Sequence, residues 1–211
     1  MKNVTVIIQG PTNYYKEILD NLSQNQTYIW STWNNEPKEN LDAISNKVKL
    51  ILNEPPNFAG HANINCQCLS TFKGIEAAQT DYVFKTRGDM IFSNIDKLLE
   101  IISANNKEMS FLHYGNPPQQ MADFFCFGEK TKALDYWNYV CRDGYVIAPE
   151  ERLSWSYKNK INSQESFEEY MKRFFFFNVI LKEKELDIFW LKINKWVTNF
   201  YKENLNLYPK S

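Results

Sequence analysis

The chain lacks a glycine-rich Gly-x-Gly-x-x-Gly turn after its first strand-like run, and it lacks a Gly-Lys-Ser/Thr phosphate loop. Those absences speak against dinucleotide dehydrogenases and nucleoside triphosphatases. It has only two histidines, His61 and His113, too far apart to form a metal-binding pair on one helix, which disfavours a zinc hydrolase. A lone histidine is more often structural than catalytic. No Gly-x-Ser-x-Gly elbow is present for Ser-His-Asp chemistry. Neither sign of charge is in excess: 24 Lys and Arg against 25 Asp and Glu leave a formal net charge of -1. No general attraction to nucleic acid or anionic lipid follows from that balance. No apolar run approaches the roughly 20 residues that span a bilayer, and no signal-peptide pattern precedes the first strand-like run.

Cysteine is sparse as well, with four residues at 66, 68, 126 and 141. The single residue between Cys66 and Cys68 is not the spacing of a structural zinc site. Together these features predict a cytoplasmic protein with free, mostly buried thiols. The sequons Asn3-Val4-Thr5 and Asn25-Gln26-Thr27 then carry no glycan. What the chain does have is aromatic bulk, 16% of its 211 residues, enough for a packed core and for stacking surfaces in a cleft.

Patterning predicts strands alternating with helices. Val4-Thr5-Val6-Ile7-Ile8 reads as a first buried strand, followed by the turn Gln9-Gly10-Pro11-Thr12 and a helix over 14–23. Residues 27–33 and 48–52 read as the second and third strands. A helix over 63–79 follows, its face formed by Ile64, Cys68, Phe72, Ile75 and Ala78. Residues 81–89 hold a fourth strand that ends in Arg87-Gly88-Asp89. A helix over 91–104, strands over 108–114 and 124–128, and helices over 130–140 and from 148 complete the pattern. Such alternation predicts a mostly parallel sheet with right-handed crossovers. The tail from 166 mixes bulky aromatics with charge. It reads either as a helical or mixed appendage on the sheet or as an amphipathic patch at a membrane surface. The expected division is an α/β domain over 1–165 with a helical C-terminal appendage over 166–211 packed on it.

In open α/β sheets ligands bind outside the carboxyl ends of the strands. Gln9 to Thr12, Trp33 to Glu36, Asn53-Glu54 and Arg87 to Asp89 should therefore converge on one edge. That is the geometry of a nucleotide cleft. Trp33 suits stacking on a base, and Asn34, Asn35 or Glu36 suit hydrogen bonds to base or ribose. The planar guanidinium of Arg87 suits a diphosphate, and Asp89 suits a hard divalent cation. The alternative for Arg87 and Asp89 is a surface ion pair that caps a strand.

The stretch Lys73 to Asp89 resembles the helix–strand–DxD segment of GT-A nucleotide-sugar glycosyltransferases. More narrowly, seven pieces resemble the WavE-type lipopolysaccharide synthesis family. They are Val6-Ile7-Ile8-Gln9-Gly10-Pro11, Ser31-Thr32-Trp33, Asn63-Ile64-Asn65-Cys66-Gln67, Ser70-Thr71, Lys85-Thr86-Arg87-Gly88-Asp89, Asp123-Phe124-Phe125-Cys126-Phe127-Gly128 and Pro149-Glu150. They occur in family order between residues 4 and 155. The resemblance implies a GT-A-like, Rossmann-type α/β fold and transfer of a sugar from a nucleotide-sugar onto a lipopolysaccharide or capsule precursor. An inverting single displacement is expected, with Mn or Mg as a candidate cofactor bound at Asp89.

The implied donor-binding residues are Gln9, Gly10, Pro11, Trp33, Asn63, Gln67, Arg87 and Asp89. Asn63, Gln67, Ser70 and Gly74 share a second face of their helix and would approach the donor. Asp123 and Glu150 are the implied carboxylates for deprotonating the acceptor hydroxyl. Two positions depart from the pattern: Arg87 stands where DxD has its first aspartate, and Cys66 stands where the family has a basic residue. The implied acceptor is a glycan or lipid-linked precursor, which would give the aromatic tail a contact at the inner face of the cytoplasmic membrane. Two alternatives stay open: a metal-independent CMP-sugar transferase of sialyltransferase type, and a non-catalytic nucleotide-binding assembly subunit.

Overall fold

A computed structural model describes residues 2–105, 107–112, 121–143, 148–161, 164–177, 186–197 and 199, with the backbone alone at 122, 123 and 175–177. The β-branched run Val4–Gln9 forms β1, buried at every position. A strand covered on both faces reads as a continuous apolar run rather than an alternating one. β1 pairs in parallel with β2 (Thr27–Trp33) on one side and with β4 (Tyr82–Arg87) on the other. β3 (Lys49–Asn53) extends the sheet beyond β2. Past β4 the sheet continues with β7 (Ala122–Glu129), β6 (Met109–Leu112) and β8 (Phe175–Phe177). Only β7 runs against the rest, so six of the seven strands are parallel.

Helices cover both faces. On one, α1 (Tyr15–Asp20), α2 (Lys38–Ser45) and α4 (Ile95–Ser103) place Ile18, Ile44, Leu98, Leu99 and Ile102 against Val6, Ile8 and Phe84. On the other, α3 (Ile64–Glu76), α5 (Lys130–Trp137), α6 (Pro149–Lys160) and α7 (Phe167–Met171) pack on Ile7, Val83 and Phe111. α3 approaches β1 and β2 so closely that a β-carbon at Gly74 would stand 2.4 Å from Ile7 Cγ2 and 3.1 Å from Ser31 Cβ. The four cysteines are free thiols. Burial pushes the thiols of Cys68 and Cys126 up to about 12. No helix among the described residues is long and apolar enough to cross a membrane.

Several elements differ from the pattern reading. α2 forms where no helix is expected, because only Asn40 and Ile44 of its eight residues are buried and the apolar signal is correspondingly thin. The expected helix over 91–104 begins only at Ile95, capped by Asn94, whose side chain accepts from Lys97 N at 2.9 Å. Before it, Met90–Phe92 forms β5, which pairs antiparallel with β9 (Ile188–Trp190). β10 (Lys195–Trp196) adds to β9 and completes a second, three-stranded sheet. The described part of the tail thus holds the five-residue α7, a 3-10 turn over Leu191–Ile193 and three strands rather than helices alone. Its Phe-rich and Ile-Phe-Trp runs suit strands, and they meet the free edges of β6 and β5.

Candidate functional site

A cavity of about 500 Å³ opens at the carboxyl ends of β1, β2 and β4, within the size range of small-molecule sites. All eight residues expected to bind a donor line it: Gln9, Gly10, Pro11, Trp33, Asn63, Gln67, Arg87 and Asp89. Asn13, Tyr14, Cys66, Gly88 and Lys192 line it as well.

The β1 wall is set by backbone geometry. Gly10 adopts φ +115, a region that L side chains rarely enter. Its N–H donates to Ser31 O at 3.2 Å, and its carbonyl accepts from Trp30 Nε1 at 3.2 Å. Gly88 N donates to Gln9 O at 2.8 Å, which joins the ends of β1 and β4. Behind this wall Thr12 donates to Glu36 Oε2 twice, from N at 3.1 Å and from Oγ1 at 2.5 Å, while Asn40 Nδ2 donates to Thr12 Oγ1 at 2.9 Å. Glu36, a candidate for base or ribose contact, is therefore engaged in holding the loop after β1. Asn53 also lies outside the cavity lining; its amide donates to Ser31 Oγ at 3.0 Å and to Thr32 O at 2.8 Å.

The second wall is the start of α3. Ala62 (φ 49) and Asn63 (φ 59) both adopt left-handed backbone just before the helix, a conformation that costs non-glycine residues about 1–2 kcal/mol each. The turn is held by Asn65, whose amide donates to Phe58 O and Cys141 O, both at 2.9 Å, and accepts from Cys141 N at 2.6 Å. Asn63, Cys66 and Gln67 face the cavity, while Ser70 and Gly74, further along the same side, are buried against the sheet. Gln67 Oε1 is buried with no hydrogen-bond partner among the described residues. An unmade bond of that kind costs about 1–3 kcal/mol.

The third wall carries charge. Arg87 Nε donates to Asp89 Oδ1 at 2.9 Å and Arg87 Nη2 donates to Asp89 Oδ2 at 2.8 Å, a two-point fork. The guanidinium carbon lies 5.7 Å from the Phe124 ring centroid and 5.4 Å from that of Trp190, within cation–π range. Trp190 Nε1 donates to Asp89 Oδ2 at 3.0 Å, and Leu191 N donates to Asp89 O at 2.9 Å. Lys192, exposed at the turn between β9 and β10, brings a second cation to the lining. Among the described lining residues Arg87 and Lys192 stand against Asp89, a net positive charge that favours an anion.

Asp89 is the expected metal ligand, and the donors around it do not fit one. It is the one carboxylate among the described lining residues, and both its oxygens accept from Arg87 while Oδ2 also accepts from Trp190. A hard divalent ion needs carboxylate lone pairs directed at it. Among the described residues no group of three His, Cys, Asp or Glu side chains is placed to hold an ion.

The two carboxylates expected to act as bases are placed differently. Glu150 sits half-buried in the first turn of α6 and is not among the residues lining this cavity. Asp123 lies in β7, next in the chain to Phe124; its side chain is outside the described residues. His113, the loop over 115–118 and the tail beyond 199 also lie outside them. Sequence reasoning missed Lys192, whose one local signal is the pair of apolar runs flanking Lys192 to Asn194, with Asn194 left-handed at φ 53.

No family model and no curated protein matches the chain, so the WavE-type resemblance rests on the sequence pieces alone. Solved structures do match its fold. Glucosyl-3-phosphoglycerate synthase from Mycobacterium tuberculosis, in complex with Mn2+, UDP and glucosyl-3-phosphoglycerate, superposes with a TM-score of 0.53 at 11% identity, over 84% of this chain and 70% of that one. Residues 1–349 of Staphylococcus aureus TarS match with a TM-score of 0.50 at 11% identity, over 75% and 56% of the two chains. A mannosyltransferase from Pyrobaculum calidifontis, with GDP-Man and Mn2+, matches with a TM-score of 0.50 at 13% identity, over 74% and 52%. The chain thus spans little more than half of the TarS fragment. Its fold is that of the GT-A glycosyltransferases.

Proposed function

We propose that the chain is a nucleotide-sugar-dependent glycosyltransferase. The observation that carries this reading is the cavity itself, in which Arg87 is held in a charged fork at the carboxyl edge of a GT-A-type sheet and faces residues from β1, β2 and α3. Trp33 would stack on the base, Gln67 and Asn63 would hydrogen-bond the donor from the start of α3, and Arg87 would meet the diphosphate. The acceptor oxygen would attack the anomeric carbon, the bond to the diphosphate would break, and the acceptor's proton would pass to a carboxylate. Asp123 and Glu150 are the two candidates for that carboxylate. A carboxylate that takes the acceptor's proton as the bond to the diphosphate breaks is the arrangement of an inverting displacement. The acceptor is a lipopolysaccharide or capsule precursor. Trp196, exposed on β10, gives the tail an aromatic contact for a lipid-linked acceptor at the cytoplasmic face of the membrane.

A thermal-shift titration with UDP, GDP and CMP tests the reading. Stabilisation by one nucleotide is expected, and the Asp123→Asn variant should keep that stabilisation while losing transfer. No stabilisation by any of the three would overturn the proposal.

A further inference from the structure

We infer that the donor diphosphate is neutralised by two protein cations, Arg87 and Lys192, and that Asp89 is the positioning carboxylate of Arg87 rather than a metal ligand. This rests on the donor-site reading above. The two cations come from different elements. Arg87 ends β4, and Lys192 is carried in by the β9–β10 turn. That turn is tied to Asp89 itself, through Leu191 N to Asp89 O at 2.9 Å and through Trp190 Nε1 to Asp89 Oδ2 at 3.0 Å. No carboxylate pairs with Lys192 among the described residues.

For Asp89 to turn to a metal ion it would have to give up a two-point charged pair and an indole hydrogen bond together. Those three contacts hold the guanidinium against the Phe124 and Trp190 rings at the cavity wall. In the transfer step the bond from the anomeric carbon to the diphosphate oxygen breaks with its electron pair going to the diphosphate. Arg87 and Lys192 meet the charge that develops there. The new bond forms to the acceptor oxygen, whose proton goes to a carboxylate. No metal ion enters that balance.

Calorimetric titration of the full chain with UDP and GDP, in EDTA and then in Mn2+, separates the possibilities, with uridine and guanosine as phosphate-free controls. One diphosphate should bind equally well in both buffers. Lys192→Met, at an exposed position, should weaken that diphosphate roughly tenfold and leave its nucleoside unchanged. Asp89→Asn should weaken it too, with no dependence on Mn2+ in either protein. Binding that requires Mn2+ in the wild type and is lost in Asp89→Asn would overturn the inference while leaving the donor site standing. Absence of binding by every nucleotide and nucleoside in both buffers would overturn the donor-site reading and this inference with it.

Discussion

The indole N–H of Trp190 donates to Asp89 Oδ2 at 3.0 Å, joining residues 101 positions apart. The C-terminal segment thereby becomes a wall of the candidate site. Replacing Trp190 by Phe keeps a ring over Arg87 and removes the donor to a charged acceptor. The variant should lose about 1–2 kcal/mol of stability, measured as a lower urea midpoint at constant m-value.

Arg87→Lys keeps the charge and removes the planar fork. A lysine cannot reproduce the two-point bond to Asp89 or the flat stacking surface. Nucleoside diphosphate affinity should fall by roughly tenfold or more. Titration calorimetry checks this, with circular dichroism confirming an unchanged fold.

Cys66 lines the cavity and is half-buried, whereas Cys68, Cys126 and Cys141 are buried. In the native protein a thiol reagent should label one cysteine, and in denaturant all four. Burial raises the Cys66 thiol above its ordinary value. The labelling rate should therefore climb steadily from neutral into alkaline pH, since the thiolate is the nucleophile. Saturating UDP or GDP, whichever binds, should slow labelling. Unchanged labelling by a bound nucleotide would place the nucleotide elsewhere.

Gly74→Ala places a methyl 2.4 Å from Ile7 Cγ2 and 3.1 Å from Ser31 Cβ, with α3 packed against β1 and β2. Overpacking of this kind costs about 1–3 kcal/mol. The measurement is equilibrium unfolding. The nucleotide site should weaken in parallel, because the start of the same helix forms its second wall.

Asp96 gives the pH prediction. Burial alone would raise its carboxyl, but hydrogen bonds from Ser23 Oγ at 2.7 Å, Asn25 Nδ2 at 2.9 Å and Gln26 Nε2 at 2.6 Å outweigh it and hold the value below the usual range. A carboxylate lowered in the native state contributes stability above its unfolded value, at about pH 4. It loses that contribution as pH falls through the native value. Asp96→Asn should therefore lower the melting temperature at neutral pH and narrow the gap to wild type under acid, followed by thermal melts across the acid range.

Much of this site is legible one strand at a time. Val4 to Ile8, Thr27 to Trp33 and Tyr82 to Arg87 are apolar runs that end in polar turns. Parallel strands bring all their carboxyl ends to one edge whatever the details of packing. That rule is enough to gather Gln9, Trp33, Arg87 and Asp89 around one cavity. It does not say which polar residue at a strand end turns inward. Glu36 and Asn53 stand at the same edge, and both are taken up by the loops and strands beside them.

By itself, then, the sequence determined the alternating α/β order, the parallel core of the sheet and the residues at its ligand edge. Burial periodicity and strand direction are local properties, and they are written in runs of five to ten residues. Only the tertiary structure decided that the tail supplies β8 to the main sheet and that Trp190 and Lys192 close the site. It also decided that Glu150 lies off the cavity. Those outcomes depend on strand pairings and side-chain directions across about a hundred residues of chain. No local pattern encodes a partner at that distance, because the pairing is selected by which edges and aromatic faces remain open once the rest has packed.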